Sequence, residues 1–117
     1  MSVKNSVQPI ICYSLSALEV PPTYGPINPT GLPKSCFMIR IVNGTNVDVS
    51  ISFDDDNQHD YLPPGTYLNL MSQTNSQPQN QAALFAIGTI VYVRYEGVDA
   101  PTSGMVSLSG YYQPVSP

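Results

Sequence analysis

An all-β fold, a single antiparallel sandwich or small barrel, follows from three observations. Apolar residues recur at every second position in several short runs. Twelve prolines and eight glycines cut the 117-residue chain so often that few windows can hold three turns of helix. The runs are rich in β-branched and aromatic residues, which suit a pleated, half-buried surface. The length fits one domain over residues 1–117, with a core of its own. Jelly-roll-like and immunoglobulin-like topologies are both open, although the absence of tryptophan disfavours a true immunoglobulin domain.

The elements follow in order. Residues 1–9 read as an N-terminal arm, and Ile10–Leu18 as a first strand. The segment Glu19–Lys34, EVPPTYGPINPTGLPK, reads as a long ordered loop, because its prolines fix φ and remove donors from any ladder. Next, CFMIRIV and VDVSISF flank NGTN and read as a hairpin closed by an Asn-Gly turn. Phe37, Ile39 and Ile41 alternate inward on one strand, and Val47, Val49, Ile51 and Phe53 on the other. Arg40, Asp48, Ser50 and Ser52 then point away from the core. TYLNLM repeats the alternation with Leu68 and Leu70. Ser72–Ala82 is uncharged and rich in Gln and Asn, a loop composition. Leu84–Ile87 reads as a short strand meeting the TIVYVRY strand, Thr89–Tyr95, through a turn at Gly88. GMVSLSGYY sets Val106, Leu108 and Gly110 on one face, and residues 113–117 form a C-terminal arm.

Composition excludes several functions. Charged residues make up only 10% of the chain against about 25% in ordinary soluble domains, so its surface has little electrostatic guard against association. Four basic and eight acidic residues give a net charge of −4, which supplies no basic stripe for phosphates and predicts no direct nucleic-acid binding. The N-terminus lacks the features of a secretory signal and no apolar run approaches a membrane span, so synthesis in a cytoplasm and no membrane contact are expected. Cys12 and Cys36 are expected to be free, buried thiols. Asn43-Gly44-Thr45 matches a glycosylation acceptor, which matters only in a secreted chain.

The stretch FDDDNQHD gathers four aspartates and the sole histidine. As a calcium loop starting at Asp54 it places Asp56 and Gln58 correctly, but His59 stands where glycine is needed and Gly65 where a bidentate glutamate is needed. A looser calcium site from Asp54, Asp56 and Asp60 is the weaker alternative to a plain polar turn. One histidine and two distant cysteines lack zinc spacing. No nucleophile elbow accompanies His59, and three successive aspartates do not by themselves make a carboxylate pair across a cleft. The expectation is therefore a capped hairpin end, with no catalysis, no metal and no cofactor. Tyr92, Tyr95, Tyr111 and Tyr112 are candidate stacking platforms or interface anchors, set against the simpler reading of half-buried strand tyrosines.

Over roughly the last two-thirds of the chain, VSISFD, HDYLPPGTYLNL, ALFAIGTIVYVRY and SGMVSLSGYY together resemble small all-β structural proteins encoded among the virion genes of tailed bacteriophages. The resemblance implies a decoration, cement or head-and-neck accessory protein that binds major capsid or neck proteins and has no catalytic role. The expected location is the virion, after synthesis in the host cytoplasm, and the expected state is a homo-oligomer such as a trimer. Expected apolar contact residues are Ile10, Tyr24, Pro29, Tyr111, Tyr112 and Val115. The alternative is a carbohydrate- or receptor-binding sandwich at a virion tip, with tyrosines stacking on sugars and Asp54, Asp56 or Asn57 hydrogen-bonding to them.

Overall fold

The computed structural model describes residues 8–71 and 85–112. Among these residues nine strands form two antiparallel sheets: β1 (Gln8–Pro9), β2 (Tyr13–Ser16), β3 (Gly25–Pro26), β4 (Met38–Asn43), β5 (Val49–Ser52), β6 (Asp60–Leu62), β7 (Thr66–Met71), β8 (Tyr92–Tyr95) and β9 (Met105–Tyr112). A 3-10 turn, Ala17–Glu19, follows β2. The larger sheet runs β1-β9-β4-β7, with β2 also on β9, and the smaller runs β3-β8-β5-β6.

This order is a jelly roll. β1 and β2 act as one interrupted edge strand, and the chain pairs β5 with β6, β4 with β7, β3 with β8, and β2 with β9. It is one long antiparallel ribbon, doubled back at residues 53–59 and rolled so that β4 also meets β9 and β5 also meets β8. An immunoglobulin order, which keeps consecutive hairpins within a sheet, does not fit.

The core lies where the predicted alternation puts it. Ile39, Ile41, Val106 and Leu108 from the larger sheet meet Val49, Ile51 and Val93 from the smaller, all with no exposed surface, and Val91 and Leu62 extend the cluster. Deleting a buried branched side chain from such a cluster costs about 2–5 kcal/mol.

Four expectations require correction. The Asn-Gly hairpin is absent: β4 and β5 belong to different sheets and do not pair. A two-residue hairpin turn of that type requires positive φ at both central residues, yet neither Asn43 nor Gly44 has it. Instead Gly44 N–H donates to Met105 C=O (2.8 Å), and the chain crosses between sheets. Ser50 and Ser52 face away from Val49 and Ile51 as expected, but they are fully buried.

The proline-rich segment is partly a strand, since Gly25 and Pro26 pair with Val93 and Tyr92, and Ile27 N–H continues the ladder to Val91 C=O (2.8 Å). Where it then leaves the sheet, buried Asn28 takes over. Its Nδ2 donates to Thr89 C=O (3.0 Å) and its Oδ1 accepts from Val91 N–H (2.9 Å), so a side-chain amide supplies the backbone pairing that the prolines interrupt. The fourth correction concerns Ile10–Leu18, which breaks at Ile10–Cys12 into β1 and β2.

Smaller outcomes follow. Phe85 makes only an isolated bridge to Cys36, and Gly88, with φ +90°, makes the expected turn. Both thiols are free, but Cys12 is exposed; burial pushes the Cys36 thiol up. The Gln- and Asn-rich loop, the C-terminal arm and all of the N-terminal arm except Gln8 and Pro9 lie outside the described residues. No helix among the described residues is long and apolar enough to cross a membrane.

Candidate interaction surfaces

The aspartate stretch forms the apex of the ribbon, between β5 and β6. Asp54 Oδ1 accepts from the backbone N–H groups of Asn57 (2.8 Å) and Asp56 (3.0 Å) and from the Ser52 hydroxyl (3.0 Å), and Oδ2 accepts from Asn57 Nδ2 (2.8 Å). The Asn57 and Asp56 amides hold the Asp54 carboxyl far below the usual carboxylate range. His59 Nδ1 accepts from Phe53 N–H (3.0 Å), and its other nitrogen lies 3.8 Å from Asp54 Oδ2. Asp55 takes the left-handed conformation, φ +67°, which a short polar side chain tolerates. Asp54, Asn57 and His59 are thus turned back onto the turn itself, and Asp60 Oδ1 accepts from Tyr61 N–H (3.0 Å). No cluster of three or more His, Cys, Asp or Glu among the described residues is placed to grip an ion.

At the opposite end of the sandwich, Asn43 is fully buried. Its Nδ2 donates to Val47 C=O (2.8 Å) and Leu62 C=O (2.9 Å), while its Oδ1 accepts from Thr45 N–H (3.0 Å) and the Thr45 hydroxyl (2.6 Å). That amide nitrogen is committed to the fold, so the sequon does not present an acceptor. Around this crossing gather the 3-10 turn and the β8–β9 loop, joined by Ala17 N–H to Gly104 C=O (2.9 Å) and by Asn46 to Thr102. Leu18, Val98 and Met105 stand on this end with 86%, 95% and 51% of their surface exposed. An open hollow of about 280 Å³ beside Val98 is edged by Asp48, Glu96 and Asp99.

The outer face of the smaller sheet carries a polar layer. The Ser50 hydroxyl donates to Glu96 Oε2 (2.5 Å), and Arg94 Nε donates to the same oxygen (2.9 Å). These two bonds, Ser50's first, pull the Glu96 carboxyl down. The Arg94 guanidinium lies 4.5 Å from the Tyr24 ring centre. The Tyr61 hydroxyl donates to Asp48, and that bond raises the Tyr61 phenol. The outer face of the larger sheet is different: its strands bear one charge, Arg40, which lies 4.6 Å from the centre of the Tyr67 ring.

The expected contact residues divide. Ile10 is in the core, 8% exposed, and approaches Gly110, so its side chain is spent on folding. Tyr24 is half-buried under Arg94, and its hydroxyl is buried without a hydrogen-bond partner. Pro29 is exposed. Tyr111 and Tyr112 are half-buried at the far end of β9, with Lys34 Nζ 5.5 Å from the Tyr112 ring centre; Val115 lies outside the described residues. Tyr92 and Tyr95 are half-buried as well. The open tyrosines are instead Tyr61 and Tyr67, which alternation along DYL and TYLNLM could have flagged, because each stands between inward neighbours. Leu18 and Val98 sit in turns, where no periodicity marks them.

No family model, no curated protein and no solved structure matches this chain.

Proposed function

We propose that this protein is a non-enzymatic, self-associating component of a bacteriophage virion, made in the host cytoplasm, that decorates or stabilises the capsid or neck through contacts with other virion proteins. The observation that carries this reading is the apolar crown of Leu18, Val98 and Met105 at the Asn43 end of a jelly roll. Large apolar side chains left exposed at one end favour association, and burial against a neighbour removes them from water. Fold analogy supports it too, since jelly rolls build viral capsid domains.

The same analogy extends to lectins, so a carbohydrate- or receptor-binding role at a virion tip is the second reading. Its specific support is the exposed Tyr67 ring with Arg40 stacked on it, an open platform beside a donor. Asp54 and Asn57 support it less, because their polar atoms already bond within the apex turn.

Mass spectrometry of purified virions, paired with a glycan array probed by the isolated chain, separates the two. The structural reading expects the chain in particles at stoichiometric abundance and no glycan bound. Its absence from particles would overturn the proposal, and sugar binding lost on Tyr67→Ala would establish the second.

A further inference from the structure

We propose that the edge of β7 left unpaired among the described residues is a self-pairing edge: two copies lay β7 antiparallel to β7 across a twofold axis at Asn69, joining their larger sheets into one. This goes beyond the virion reading and does not depend on what the joined copies bind.

The four sheet edges are guarded unequally. β3 is two residues long and contains Pro26; β1 is two residues and contains Pro9, and its continuation into β2 is broken at Ile10–Cys12. β6 is three residues, opens with Asp60 and is followed by Pro63 and Pro64. Short length, proline, breaks and charge are the devices that keep a strand edge from pairing with another chain. β7 holds none of them within its length, although Pro63 and Pro64 also precede it. It is six residues, TYLNLM, without charge or proline, it pairs only with β4 among the described residues, and Tyr67 and Met71 are each more than half exposed.

Charge selects a second copy as the occupant. The chain carries −4; seven of its eight carboxylates, Asp48, Asp54, Asp55, Asp56, Asp60, Glu96 and Asp99, belong to the smaller sheet and its loops, the eighth, Glu19, lies in the turn after β2 on the flank away from β7, and the strands of the larger sheet carry only Arg40. Two copies therefore meet the least like-charge repulsion along the larger sheet. Arg40 sits one strand in, so its symmetry mate is three strand spacings away, about 14 Å, beyond the screening length at physiological salt. Asp60, on the same flank, lies in the other layer, about 10 Å behind.

The register follows from the pleat. Directly opposed residues in an antiparallel pair lie on the same face, so a twofold axis passes midway between a residue and its own copy. Centred on Asn69, Leu68 faces Leu70 of the copy and Tyr67 faces Met71, each pair occurring twice, while Asn69 meets itself. Centred on Leu68, Tyr67 faces Asn69 and Thr66 faces Leu70, which joins polar to apolar side chains. The first register matches cross-strand partners better. Its product is a dimer or a multiple of dimers.

Sedimentation equilibrium of the full chain across a concentration series, with an Asn69→Lys variant beside it, tests the proposal. The wild type should approach twice the 12.7 kDa chain mass. Asn69→Lys sets a cation against its own copy at an exposed position and should halve the mass; because it also stands opposite Arg40 of its own β4, its melting temperature in the monomer range should fall slightly. Asn69→Thr, neutral and suited to strands, should keep the dimer. A wild type that is monomeric at every concentration, a trimer, or a dimer indifferent to Asn69→Lys would each overturn it.

Discussion

Two polar turns close opposite ends of this sandwich by the same device and at very different depth. At the apex, Asp54 gathers the amides of Asp56 and Asn57 in full contact with water. At the crossing, Asn43 gathers Thr45, Val47 and Leu62 with no surface exposed at all. An exposed group exchanges its protein partners for water when they are removed, whereas a buried one leaves donors and acceptors stranded at about 1–3 kcal/mol each. The carboxylate-rich stretch that draws the eye is therefore the less consequential of the two. The plain Asn-Gly-Thr holds the sheets together, and it bonds to both arms of the smaller sheet's hairpin at once.

Mutations can break or sharpen that contrast. The largest effect is expected for Asn43→Ala, which strands the Leu62 carbonyl and the Thr45 amide and leaves the Val47 carbonyl only its bond from the Thr45 hydroxyl (3.1 Å): unfolding free energy by urea titration should fall by about 4 kcal/mol. A loss below about 1 kcal/mol would mean the crossing is held by something else. Leu108→Ala, in the core that both turns enclose, should cost about 3 kcal/mol in the same titration. Ser50→Ala takes a buried donor from Glu96 and should cost about 1 kcal/mol.

Asp54→Ala should lower the melting temperature slightly, and with a definite pH dependence. The folded carboxyl titrates below its unfolded value, so its contribution is complete above an unfolded pKa of about 4 and fades as the pH falls toward the folded value. The gap between wild type and variant, followed by scanning calorimetry, should be constant from neutral pH down to about 5 and narrow progressively below about 4. A gap that widens on acidification would contradict the capping role. Smallest of all, His59→Ala should cost no more than about 0.5 kcal/mol, because the imidazole is exposed and its Nδ1 bond to Phe53, its ring contact with Phe53 and its 3.8 Å approach to Asp54 are all at the surface.

The same two turns show where sequence reasoning reached and where it stopped. Alternation found every long strand, because Ile39, Ile41, Val49, Ile51, Val106 and Leu108 must turn one face inward, and it read the apex as a capped turn. It misread the crossing, since Asn-Gly is a local hairpin signal while the destination of the next strand is decided by side-chain bonds to Leu62, nineteen residues on. β3 and β6, two and three residues long, are too short to show a period, and β3 contains a proline that argues against a strand. The residues of the proposed contact surface were not legible: Leu18 and Val98 lie in turns, and Ile10, expected as a contact residue, is drawn into the core beside the β1–β9 pairing.

The central claim is that this jelly roll works by touching protein neighbours. Electron cryo-microscopy of the virion at a resolution that traces strands tests it most directly. The account predicts this fold in the particle, with the Leu18, Val98 and Met105 end seated against a different virion chain. Particles that lack the fold, or that carry it with that end facing solvent, would contradict it.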